Sequence, residues 1–222
     1  MTTARATVES LLRARQLDMT LTTARPWVVE PEDRVAATGV TDIDERLGGG
    51  LRRGHLSEIV GPRSTGRTAV VCRMFAAATA RGEVVALVDT CDRFDPTAAR
   101  EAGLDLSRLL WIRERGDAAR ALKGLNLVLQ AGGFGVVAFD LADVPPMAIR
   151  RFPYTTWMRL SRVIEGSQTV VVLLGAGRTA RSPGGVSVSL EACAGRGRWS
   201  GATDRARFLS ALDIRPRIVA AQ

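Results

Sequence analysis

Gly61-Pro62-Arg63-Ser64-Thr65-Gly66-Arg67-Thr68 is the stretch on which the fold turns. It has the frame G-x-x-x-x-G-K-[ST] of a phosphate-binding loop, with Arg67 standing at the lysine position. Leu56, Ile59 and Val60 lead into it as an apolar run that predicts a strand. Thr68 to Ala80 follows and predicts a helix. Strand, glycine loop and helix are the context this motif requires. Its glycines let backbone N–H groups turn inward, and the helix N-terminus adds partial positive charge, so the loop suits an anion. Gly61, Ser64, Thr65, Gly66, Arg67 and Thr68 are therefore the candidate cofactor-binding residues. ATP with Mg²⁺, a bare phosphate, or no ligand at all are the open alternatives. A guanidinium is wider and flatter than an ammonium, so Arg67 alters the chemistry of the loop. Lys123 is the single lysine of the chain, so arginine at this position also follows the general composition.

Outward from the loop, strand and helix signals alternate. Upstream, Thr38 to Asp44 and Leu47-Gly48-Gly49-Gly50-Leu51 read as a turn, a short helix and a glycine turn. Downstream come strands over Val84–Asp89 and Leu109–Ile112, with a helix over Ala98–Gly103 between them. A helix over Ala118–Ala131 places Ala121, Leu122, Leu125 and Leu129 along one face. The strand Gly135–Asp140 ends in an acid. Pro145 to Glu165 reads as largely helical, and Thr169–Leu174 is a wholly apolar strand, as in a parallel sheet covered on both faces. The alternation implies an α/β fold with a mostly parallel, doubly wound sheet. Beyond Gly175 the chain becomes rich in glycine and arginine as far as residue 204. A strand is expected at Val186–Leu190 within that segment, with Arg205–Leu212 and a strand at Ile214–Val219 closing the chain.

The 222 residues suffice for one α/β domain, and the formal net charge of +8 favours acidic partners such as nucleic acid. No apolar window is long enough to span a membrane. Cys72, Cys91 and Cys193 are too scattered for a metal pattern or a disulfide framework. A soluble, cytoplasmic and nucleoid-associated protein is expected. Residues 1–37 read as an N-terminal arm: a short amphipathic helix over residues 3–17, with Val8, Leu11, Leu12 and Leu17 at helical spacing, and then a linker. Residues 38–222 read as the core domain. The lone histidine, His55, has no acid or nucleophile in motif with it and receives no catalytic role.

The phrase TGVTDIDERLGGGLRRGHLSEIVGPRSTGRT, residues 38–68, resembles the start of the RecA recombinase core. The likeness continues through Asp89-Thr90-Cys91-Asp92-Arg93-Phe94-Asp95-Pro96 and Ala102-Gly103-Leu104-Asp105, and covers about residues 38–176. It implies a RecA-like P-loop fold. By this resemblance Asp140 matches the acid that holds Mg²⁺, and Cys91 stands where a glutamate activates the attacking water. A thiol is a poor substitute for a carboxylate base. Asp92 is next in sequence, but neighbours on an extended segment point to opposite sides. Gly175 and Ala176 stand where an Asn-Gln pair senses the γ-phosphate. With Arg67, Cys91 and Ala176 altered together, no catalytic residue is assigned and the chain reads as a degenerate P-loop ATPase.

Arg150 and Arg151 lie near the segment matching the first DNA-binding loop, and Arg178, Arg181, Arg196 and Arg198 lie in or near the second. They are the candidate DNA-binding residues, weighed against a merely solvated basic face. Tyr154, Trp157 and Leu160 recur at helical spacing, which favours ordinary packing. Among RecA-like proteins the chain is most similar to the ImuA family of bacterial accessory proteins. That resemblance implies a role in DNA-damage-induced mutagenesis within the SOS response and translesion synthesis. The implied partners are an ImuB-like Y-family polymerase homologue, RecA and an error-prone replicative-type polymerase. Direct DNA binding and self-association through the N-terminal arm belong to the same implication. The alternatives are an ATP-dependent, DNA-binding reduced recombinase and a SulA-like cell division inhibitor. The glycine-framed loop argues against the last.

Overall fold

A computed structural model describes residues 34–180, 184–191, 197–200, 208–212 and 216–220. The expected helix over 3–17 and most of the linker lie outside these residues. Two short strands, β1 (Val35–Ala36) and β2 (Leu51–Arg52), pair antiparallel, so residues 35–36 belong to the folded unit although they fall in the stretch read as linker. Between them lies α1 (Thr41–Leu47). Asp44 fixes its entry, its carboxylate accepting from Thr38 N, Thr38 Oγ1 and Gly39 N. Gly48 ends it at φ 68°, a left-handed conformation that glycine adopts without steric cost.

Next come β3 (Leu56–Val60), α2 (Arg67–Ala80), β4 (Val84–Asp89), α3 (Pro96–Glu101), a 3₁₀ turn at Leu106–Arg108 and β5 (Leu109–Arg113). Asp95 caps α3 by accepting from Thr97 N and Ala98 N, and Pro96 pre-sets its first turn. The helix therefore begins two residues before the expected start. α4 (Ala118–Ala131) is capped in the same way by Asp117, and β6 (Phe134–Asp140) follows. The stretch expected to be largely helical is broken into α5 (Pro146–Ile149) and α6 (Tyr154–Ile164). Pro153 lacks an N–H and drives Phe152 out of helical conformation, so the helix restarts after it. The chain then forms β7 (Val170–Gly175), β8 (Val186–Leu190), β9 (Gly197–Ser200), β10 (Phe208–Leu212) and β11 (Pro216–Ala220). β9 had no signal in the sequence. The closing strand is described over Pro216–Ala220, and Ile214 lies outside the described residues.

The main sheet has the order β11-β8-β3-β7-β6-β4-β5. Every neighbouring pair is parallel except β8 and β11, and β9 pairs with β10 in a separate ribbon. Successive residues of β6 alternate between two cores. Val136 and Ala138 pack with Ile43 of α1, Val70, Met74 and Phe75 of α2 and Ala99 of α3. Val137 and Phe139 pack with Ala121 and Leu125 of α4 and with Trp157, Leu160 and Ile164 of α6. This is a doubly wound α/β fold with helices on both faces. Among the described residues no helix is long and apolar enough to cross a membrane.

Candidate functional site

The parallel strands bring their C-terminal ends to one edge. Register sets Val60 beside Gly175, Asp140 beside Leu174, and Asp89 beside Asp140. The phosphate-binding loop closes over this edge between β3 and α2. Gly61 is held tightly: a Cβ there would overlap the Leu190 carbonyl oxygen of β8. Thr65 is buried, and its hydroxyl donates to the Pro62 carbonyl at 2.9 Å, which stiffens the turn. Ser64 and Gly66 have φ of 61° and 91°, while Ser64 and Thr68 are exposed. No side chain caps α2, and among the described residues the amides of Thr65, Gly66, Arg67 and Thr68 have no protein acceptor. The amide cradle and helix dipole expected of an anion-binding loop are therefore present.

The cation of the loop is directed elsewhere. Arg67 is 8% exposed, and its guanidinium donates to the Gly175 carbonyl oxygen at 2.8 Å. That oxygen also accepts from Gly61 N at 3.2 Å. Arg67 thus ties the start of α2 to the end of β7, and its positive charge also favours the nearby carboxylate of Asp140. A lysine ammonium, compact and more strongly hydrated, lacks the planar fork that fills this space. The residues fit an anion through backbone amides; they do not supply a free cation from position 67.

Asp140 ends β6 as expected. Its Oδ1 accepts from Ala142 N at 2.8 Å, which is the turn-capping role weighed against metal binding. Burial pushes its carboxyl up to about 6, and the carboxylates of Asp89 and Asp143 push the same way. Among the described residues no cluster of three or more His, Cys, Asp or Glu is arranged to hold a metal ion. A single carboxylate that reaches the ion through water, as the resemblance expects of Asp140, would not form such a cluster.

Cys91 is half-buried beside these acids. Burial, then Asp140, Asp143 and Asp89, raise its thiol above the usual range, so it stays protonated at neutral pH and does not serve as a base. Asp92 does not replace it. At φ 56° it turns outward and accepts two hydrogen bonds from Arg113, at 2.8 and 2.9 Å. Arg113 in turn lies over the Trp111 ring at 4.5 Å. Asp89 orients the turn from inside, accepting from Arg93 N, Phe94 N and Trp111 Nε1. Over the mouth of the site, Asp143 pairs with Arg63 at 2.9 Å and more loosely with Arg93 at 3.6 Å. These arginines are largely exposed, so the bridge adds little stability.

The segment after β7 is fixed by a residue the sequence reading passed over. Glu58, within β3, is 3% exposed. Its Oε1 accepts from Thr179 N and Ala180 N, both at 2.7 Å, and its Oε2 from Ser187 Oγ at 2.9 Å. A carboxylate inside the apolar run Leu56–Val60 was itself the available signal, because a buried acid needs partners.

Of the candidate DNA-binding arginines, Arg150 and Arg178 line one cavity of about 390 Å³ between the α5–α6 break and residues 176–179. Arg151 is exposed nearby but does not line it. Arg198 lies in β9, while Arg181 and Arg196 fall outside the described residues. Trp157 and Leu160 are each 3% exposed, as their spacing predicts, but Tyr154 is 54% exposed. Tyr154 lies in the first turn of α6 and, with Trp157, lines the cavity.

Comparison with known proteins adds a family. The RecA N-terminal domain family matches residues 26–149. Protein RecA of Chlorobaculum tepidum is 36% identical over 117 residues, which are 52% of this chain and 34% of that protein. Protein RecA of Allorhizobium ampelinum is 36% identical over 127 residues, 56% of this chain and 34% of that one. The chain thus spans about a third of the length of these relatives. The crystal structure of the RadB recombinase superposes with a TM-score of 0.58 at 17% identity, covering 73% of this chain and 86% of that one. At that identity the likeness concerns the fold.

Proposed function

The chain belongs to the RecA N-terminal domain family, and from that premise we propose that it is an accessory member whose ATP-driven machinery has lapsed. It acts by binding proteins in DNA-damage-induced mutagenesis, its partners being an ImuB-like Y-family polymerase homologue, RecA, or both. The observation that carries this reading is the buried Arg67 guanidinium, which donates to the Gly175 carbonyl oxygen at 2.8 Å. Two other positions support it. Cys91 keeps its proton where a base would be needed. Ala176 has no side-chain group with which to sense a γ-phosphate. A RecA-like unit of this kind caps a RecA filament or brings the mutagenic polymerase to it without turnover.

The test is calorimetric titration of the purified protein with a slowly hydrolysed ATP analogue and Mg²⁺, run beside surface-plasmon binding to RecA and to the polymerase homologue. The expected result is protein binding with analogue affinity weaker than ~100 μM, about 5.5 kcal/mol. In Arg67→Lys, which releases the Gly175 carbonyl, the analogue should bind more tightly while hydrolysis stays absent. Failure to bind either protein would sink the proposal. The free amide cradle of residues 65–68 favours a second reading, a reduced recombinase that still uses ATP. DNA-stimulated hydrolysis that disappears in Gly66→Asp or Asp140→Ala would establish that reading instead.

A further inference from the structure

The cavity between the α5–α6 break and residues 176–179 is separate from the phosphate-binding loop, and its chemistry is unlike that of the loop. Its walls are apolar: Val144 and Ile149 contribute aliphatic carbons, and Phe152 meets Trp157 edge-to-face at 6.0 Å between centroids. Trp157 is 3% exposed, so its ring is a wall and not a platform. Residues 176–179 close the other side, and the exposed Tyr154 also lines the cavity. Thr179 N and Ala180 N are engaged by Glu58, and Thr179 Oγ1 donates to the Gly177 carbonyl. Charge is confined to the rim, where Arg150 and Arg178 are exposed, with Arg151 beyond it. None of the three is in an ion pair among the described residues. Met147 adds an exposed thioether beside the opening, 66% accessible.

We propose that this cavity is the docking site for a partner polypeptide segment carrying an apolar anchor side chain flanked by acidic residues. The mainly apolar walls suit an aliphatic or aromatic side chain. Rim arginines with no ion pair among the described residues suit carboxylates on either side of the anchor, although Arg178 also donates from Nε to Ser187 Oγ at 3.3 Å. The chain's net charge of +8 steers an acidic segment toward it. The proposal rests on reading the chain as a protein-binding module, and adds where the partner is held and by what chemistry.

A fluorescein-labelled peptide Asp-Glu-Asp-Leu-Phe-Glu-Asp-amide is the probe, titrated with the full chain by fluorescence anisotropy at low and high salt. Controls are the same peptide with Leu-Phe replaced by Ser-Ser, and a labelled oligothymidylate of matched charge. The expected result is saturable binding that partly survives high salt, is lost with Ser-Ser, and weakens ~10-fold or more in Arg150→Glu. Ala176→Phe fills the cavity without changing its charge and should block the peptide as well, with thermal melting used to check that both variants fold. The proposal is overturned by no binding, by equal binding of the Ser-Ser peptide, or by tighter binding of the oligothymidylate. It is also overturned by concentration-dependent self-association abolished in Ala176→Phe, which would give the cavity to a second copy of the chain. Peptide binding without binding of RecA or the polymerase homologue would keep the site and reject the proposed function. The reverse outcome would reject only the site.

Discussion

Asp140 carries a measurable signature of its surroundings. Its carboxyl ionises near 6 in the folded chain, against about 3.9 when solvated. Between those values the native state keeps a proton that the unfolded state has released, so this group's contribution to stability falls as pH rises through about 4 to 6 and is level above that. Asp140→Asn keeps an acceptor for Ala142 N and removes the buried charge. Its melting temperature at pH 7, measured with a chelator present, should exceed that of the parent by the equivalent of ~1–3 kcal/mol, and the difference between variant and parent should grow between pH 4 and 6 and level off above. A variant–parent difference that does not change with pH would mean that the carboxylate is better solvated than its place at the strand end indicates. Individual positions were unevenly legible in the sequence. Gly61, Gly66 and Thr68 announced the loop because a backbone cradle demands glycine at fixed spacing. The destination of the Arg67 side chain was not legible, because its acceptor is a carbonyl 108 residues away and a backbone atom has no sequence signal.

Within β3, Glu58 couples the strand that feeds the phosphate-binding loop to the segment leaving β7 and to Ser187 of β8. Glu58→Ala leaves Thr179 N and Ala180 N without an acceptor in a buried setting. The expected cost is ~2–4 kcal/mol. Hydrogen exchange should show the amides of Thr179 and Ala180 losing protection ahead of the sheet. Unchanged protection there would separate the segment from Glu58. Elements with strong local determinants were read well. α4 spans Ala118–Ala131 as its apolar spacing and the Asp117 cap require, and β7 differs from expectation by one residue at each end. The α5–α6 stretch was read too simply, since apolar periodicity on both sides of Pro153 conceals a break that creates one wall of the cavity. β9 pairs only with β10, outside the main sheet, and so lacks the long apolar run of a central strand.

Taken whole, the sheet depends on its C-terminal third. β3 lies between β7 and β8, and β8 is in turn covered by antiparallel β11. A chain ending at Ala176 keeps every residue of the phosphate-binding loop. It loses the neighbour of β3 on one side and the donors to Glu58 from Thr179, Ala180 and Ser187. Such a truncation should lose its cooperative thermal transition and become aggregation-prone, as read by calorimetry and light scattering. A sharp melt near that of the full chain would show β8 and β11 to be dispensable. The doubly wound class was legible from the alternation of elements. The strand order was not, because pairing between distant strands is decided by packing on both faces rather than by local pattern.

The position of β3 also sets a schedule for synthesis. Glu58 meets its partner Ser187 129 residues later in the chain. At roughly 5–20 residues per second the ribosome needs on the order of 10 s to cover that interval. Until β7 (Val170–Gly175) is made, β3 and the finished glycine loop have neither neighbour to pair with, and until β8 is made they have only one. During that window the nascent chain exposes an unpaired strand edge, so slower translation should lower its soluble yield, as read by expression with the codons between β3 and β8 varied.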